Sequence, residues 1–214
     1  MTIEHYKGTM KNQHIGKRLL YCLFFIVLTL LVSLVSCAEN TDVSEKEFDL
    51  HSDWVIFTDY TDLSSAAEYI FVGTVKDVKP SRSDSYDKKD YEDFDPETDS
   101  LTASYMMMSI YTPLEVEIET VIKGDLTVGE TAAVTCPGGK IADVSVNAGG
   151  DIRPEKDGRY LFFCVKKPEA NDVYMIITPI QGIIAVEDDM LIASKGDVIF
   201  DKYESLSQFL DAVK

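Results

Sequence analysis

Leu114-Glu115-Val116-Glu117-Ile118-Glu119 alternates without a break, apolar on one face and carboxylate on the other. A helix would spread these side chains around its axis. A strand sorts them onto two faces, so the stretch reads as a half-buried β-strand. It is expected to begin near Tyr105, to meet an edge or bend at Pro113, and to stop at the turn Lys123-Gly124-Asp125. One half-buried strand needs neighbours to cover its apolar face. Residues 69–79, YIFVGTVKDVK, supply a second strand rich in β-branched and aromatic side chains. It ends before Pro80, and Gly73 inside it marks a bulge or sharp bend. Further short strands are predicted at about 131–136, 159–166, 173–178, 182–186, 190–193 and 198–200. Turn signals separate them at Pro137-Gly138-Gly139, Gly149-Gly150-Asp151, Asp157-Gly158 and Glu187-Asp188-Asp189. Many short strands at this rhythm point to a mainly β domain, a barrel or a sandwich.

Two helices frame the strands. Residues 62–68 precede the first long strand, with Thr61 or Asp62 as the expected N-cap. At the other end Ser205-Leu206-Ser207-Gln208 has the capping-box pattern. Leu206, Phe209, Leu210 and Val213 then share one helical face, so this helix should pack onto the sheet. Residues 80–102 form a long acidic insertion with Tyr86, Tyr91 and Phe94 interleaved. A loop of that length is functional or disordered. Asp90, Glu92, Asp93, Asp95, Glu97 and Asp99 offer hard oxygen ligands of the kind calcium takes, but without the spacing of a calcium-binding loop. A solvated acidic loop is the competing reading.

The first 36 residues have a different character. Lys7, Lys11, Lys17 and Arg18 make a basic leader, and an 18-residue apolar run follows from Leu19 to Ser36. That order is the layout of a secretory signal, with the basic end held in the cytoplasm. The run ends Leu34-Val35-Ser36-Cys37, which resembles the lipobox of bacterial lipoproteins. The resemblance implies cleavage between Ser36 and Cys37 and a diacylglyceryl group on the Cys37 sulfur. The domain would then be anchored in the membrane by fatty chains and face its extracytoplasmic side. An uncleaved signal anchor with an incidental thiol is the alternative. Residues 37–53 read as a flexible acidic tether, and Trp54-Val55-Ile56-Phe57 as the start of packed structure, leaving 54–214 as a single domain.

The formal net charge is −17, and the 178 residues from Cys37 onward carry −20. So acidic a surface argues against nucleic acid as a partner. From Cys37 on there is one histidine, His51, and it lies in the tether. Ser-His-Asp, Cys-His and multi-histidine zinc sites are thereby excluded from the folded part, and no phosphate loop or cofactor motif appears. No cofactor, catalytic residue or metal site is therefore assigned. With Cys37 acylated, Cys136 and Cys164 remain, either as a disulfide or as two separate buried thiols.

Four stretches in order, 67–78, 111–130, 159–166 and 181–192, resemble a group of secreted and lipid-anchored bacterial proteins of unassigned function. The first three also resemble, more loosely, netrin-like modules and tissue inhibitors of metalloproteinases. That resemblance implies an OB-like barrel, closed or partly open and antiparallel, with a short helix before the first strand and a C-terminal helix. The inhibitory chemistry of those proteins does not carry over, because a free N-terminal cysteine and its flanking disulfide partners are missing. The expected function is a membrane-anchored binding module for a protein, peptide or envelope ligand. The alternative is an extracytoplasmic protease inhibitor or a carboxylate-based hydrolase. Loops at one barrel mouth, namely the Pro137-Gly138-Gly139 turn and the 80–102 insertion, are the expected place for a ligand.

Overall fold

The computed structural model describes residues 46–50, 54–92, 100–167, 170 and 172–213. Five strands close a barrel: β2 (Tyr69–Val78), β3 (Tyr111–Lys123), β4 (Thr131–Pro137), β7 (Arg159–Lys166) and β8 (Val173–Ile176). Around the ring β2 pairs with β3, β3 with β4, β4 with β8, β8 with β7, and β7 with β2. The expected mainly β fold is thus a closed barrel, of five strands. One contact departs from the antiparallel expectation, since β4 and β8 run parallel, with Val134 opposite Tyr174. Five is an odd number, so strand direction cannot alternate all the way around a closed ring. Beyond β8 the same edge of β7 takes β9 (Ile183–Glu187), and β10 (Met190–Ile192) pairs outside β9.

Burial follows the strand patterning. Leu114, Val116 and Ile118 of β3 point into the barrel with Phe71, Val75, Val134 and Phe162. The outer carboxylates of β3 are paired with bases of β2, of the residue that follows it and, across β2, of β7. Glu115 meets Lys79 at 3.0 Å, Glu117 meets Lys76 at 2.9 Å, and Glu119 meets Arg159 at 2.7 Å. Strands β2 and β7 read as continuous apolar runs because both of their faces are covered. Ile70, Val72, Leu161 and Phe163 face outward into a second core under α4 (Leu206–Ala212), together with Phe200 and Phe209. The C-terminal helix thus packs as its spacing predicts. Ser205 caps it, with Oγ accepting from Gln208 N at 3.1 Å, while Gln208 Oε1 accepts from Glu204 N. Gly73 stands at a register shift of β2, where a Cβ would come within 2.6 Å of the Glu117 carbonyl.

Several boundaries differ from expectation. The first helix, α1 (Tyr60–Ala66), is capped by Asp59, whose carboxylate accepts from Asp62 N; neither Thr61 nor Asp62 is the cap. Residues 105–108 are helical, and β3 begins only at Tyr111. At 198–200 there is no strand; a short 3-10 turn covers Phe200–Lys202. The 80–102 insertion contains ordered helix, with α2 (Lys88–Glu92) and the start of α3 (Ser100–Met108). The tether also carries structure. Its residues Lys46–Asp49 form β1, which adds in parallel to β6 (Val144–Asn147) of a hairpin begun by β5 (Gly139–Ile141). Phe48 and Leu50 pack with Tyr91, Met106, Ile110 and Val144 in a third small core. Alternation alone could not reveal these pieces, because each is stable only against the others. Among the described residues no helix is long and apolar enough to cross a membrane.

Candidate functional site

One end of the barrel gathers the segments that carry loops. There β2 ends, β3 begins, β4 ends and β8 ends, and the β5–β6 hairpin stands over the opening. The Pro137-Gly138-Gly139 turn is tied to the insertion at this end. Gly138 N donates to Ile110 O at 2.8 Å, and Thr112 Oγ1 donates to Gly138 O at 2.9 Å. Ser81 Oγ bonds Thr112 Oγ1 at 2.9 Å and accepts from Lys140 N at 3.0 Å. Gly138 has φ +86°, and a Cβ there would sit 2.7 Å from Val146 O. Only glycine allows that left-handed turn so close to the next strand. The two loops singled out in the sequence therefore meet at one mouth.

A second fastening joins the insertion to the loop after β7. Lys167 Nζ and the Tyr111 hydroxyl both donate to Asp84. Arg82 Nε donates to the Tyr111 hydroxyl at 2.8 Å, and Lys167 lies 4.5 Å from the Tyr111 ring centroid. The hydrogen bonds from Lys167 and Tyr111 hold the Asp84 carboxyl below its usual range.

Between the hairpin and the barrel lies a pocket of about 220 Å³. Ile176 and Ile183, Val146 and Ala148 supply apolar wall, Cys136 and the 137–139 turn line it too, and Arg153 stands among the lining residues. Among the described residues no carboxylate lines it. Its polar side chains are already engaged, apart from one. Asn147 Nδ2 donates to Asp49 and its Oδ1 accepts from Gly149 N, while Thr112 is held by Gly138 and Ser81. Among the described residues Arg153 has no hydrogen-bond or ion-pair partner, and it is exposed. Nothing in the sequence marked it, because its significance comes from what surrounds it.

At the opposite mouth is a more polar hollow of about 340 Å³, lined by Tyr69, Tyr174, Asp125, Glu130, Asp172 and Lys166 among others. Lys166 there is paired with Asp172 at 3.3 Å. Burial raises the Tyr69 and Tyr174 phenols, which meet edge to face at 4.8 Å.

The remaining sequence candidates fall as follows. Cys136 and Cys164 are free thiols, both buried in the barrel core. Burial pushes the Cys136 thiol up to about 12 and the Cys164 thiol well above its ordinary value, so neither is a nucleophile at neutral pH. Asp90 and Glu92 serve their own helix, with Asp90 Oδ2 accepting from Asp87 N and Glu92 pairing with Lys88 at 3.3 Å. Asp93, Asp95, Glu97 and Asp99 lie outside the described residues, as do Ser36, Cys37 and His51. Among the described residues no group of three or more acidic, cysteine or histidine side chains could hold a metal ion. No protein-family model matches the chain, and the curated proteins contain no match to it.

Proposed function

We propose that the protein is a membrane-anchored extracytoplasmic binding module that takes its ligand at the hairpin end of the barrel. The observation that carries this reading is the 220 Å³ pocket, walled by apolar side chains and bordered by the Pro137-Gly138-Gly139 turn, with no described residue of the 80–102 insertion in its lining. A concave apolar site with few polar groups is the usual form of a small-ligand site, though this one lies below the common size range. Its described lining residues include no carboxylate to act as acid, base or nucleophile, and Cys136 stays protonated. Binding is the chemistry such a lining supports; bond cleavage is not.

The anchoring half of the proposal rests on the basic leader, the apolar run and Leu34-Val35-Ser36-Cys37. Cells fed labelled palmitate should label the wild-type chain and leave Cys37→Ala unlabelled. Equal labelling would remove the lipid anchor. For the binding half, the full chain captured from solubilised membranes should retain an envelope component. A variant with Ala148→Trp, which fills the pocket, should release it.

A further inference from the structure

The chain carries 37 Asp and Glu against 20 Lys and Arg, so a site chosen at random on its surface is acidic. The hairpin pocket is the reverse: among the described residues it has no carboxylate, and Arg153 is its charged lining residue. Other bases near the barrel are neutralised locally, including Lys76, Lys79, Arg159, Lys166 and Lys167. Arg153 is not. An unpaired guanidinium beside an apolar hollow is complementary to a ligand with the same two parts in mirror charge.

Resting on the binding-module reading above, we propose that this pocket takes a small monocarboxylic acid. Its apolar body lies against Ile176, Ile183, Val146 and Ala148, and its carboxylate lies on Arg153. Size sets the class. An apolar cavity of about 150 Å³ accepts benzene, so 220 Å³ holds a phenyl ring with two further carbons or an alkyl group of that bulk. Thr112 and Asn147 already make hydrogen bonds within the protein, and the rest of the wall is largely apolar, which favours an apolar body over a sugar or a polyol. Two sources share the chemistry: a free acid, or the carboxy-terminal residue of a peptide ending in an apolar side chain.

The test uses the full chain in phospholipid nanodiscs, with empty nanodiscs as the blank. Binding of 3-(4-fluorophenyl)propanoate is followed by fluorine NMR and compared with the corresponding amide. The acid should bind about fivefold tighter than the amide, the ratio an exposed ion pair supplies. Arg153→Gln should bring the acid down to the amide and leave the amide unchanged; the side chain is exposed, so folding is not at stake. An acetylated dipeptide ending in 4-fluorophenylalanine separates the sources. Tighter binding than the simple acid assigns a peptide end, and weaker binding assigns a free acid. Equal affinity of acid and amide, no effect of Arg153→Gln, or no binding above the blank at about 10 mM overturns the proposal. If the acids fail while an envelope component is still retained through the pocket, the ligand class alone is wrong. If retention also fails, the binding-module reading falls with it.

Discussion

Asp197 is buried beneath the 3-10 turn, where its Oδ1 accepts from Ile199 N at 2.7 Å and Phe200 N at 3.2 Å. Among the described residues its Oδ2 has no partner within ordinary hydrogen-bond geometry, although the Gln181 side chain acts on the carboxyl. Burial, with a smaller push from Asp201, raises the carboxyl above its ordinary value, and the two backbone donors and the Gln181 side chain only partly offset this. The folded state therefore holds its proton to higher pH than the unfolded chain. The stability gained from that proton fades as pH rises through the folded value. Asp197→Asn keeps an acceptor for both N–H groups and replaces the stranded oxygen with a donor. The variant should be more stable at pH 7 by about 1 kcal/mol, and its melting temperature should vary less between pH 4 and 8 than that of wild type. A variant that melts lower at every pH would contradict this account. Glu119 has the opposite sign. Burial pushes it up, but hydrogen bonds from Thr74 and Arg159 outweigh that, so its contribution is lost as pH falls. The sequence showed that Glu119 faces outward; it could not show that Arg159, forty residues later, would sit beside it.

At the scale of elements, the long strands were legible because each carries its own evidence. Tyr69–Val78 and Arg159–Lys166 fall within one residue of expectation. The elements missed were β1, the β5–β6 hairpin and the two insertion helices, each of nine residues or fewer. Pieces this short have little intrinsic stability. They are held through one shared cluster in which Tyr91 is fully buried and its hydroxyl bonds Ser109 Oγ at 2.9 Å. In β1, Lys46 N and Leu50 N donate to Asp143 O and Asn147 O, both at 2.8 Å. Phe48→Asp would place a charge among Met106, Ile110 and Val144, at a cost that the three-stranded sheet cannot absorb. Hydrogen exchange should then be fast at Lys46 and Leu50 and unchanged in β2 and β7. If those two amides already exchange freely in wild type, β1 does not dock.

For the molecule as a whole, the two thiols report on the integrity of the barrel. Cys136 and Cys164 sit on different strands of one core, free and buried. Iodoacetamide should leave both untouched in the folded protein and alkylate both in denaturant without any reductant. A disulfide would leave them unmodified even when unfolded. Local alternation, turn residues and caps determined the β class, the major strands and the packing face of the last helix, because these signals act within a few residues. The proposed reading of the leader and Leu34-Val35-Ser36-Cys37 rests on sequence alone. The parallel β4–β8 contact came instead from closing an odd ring, and the pocket from standing a hairpin over that ring's mouth. Arg153 became a candidate ligand contact only because residues up to 41 positions away in the chain, Thr112 the farthest, build the apolar hollow that it lines. Charge, size and shape at a site are sums over distant segments, and no window along the chain contains that sum.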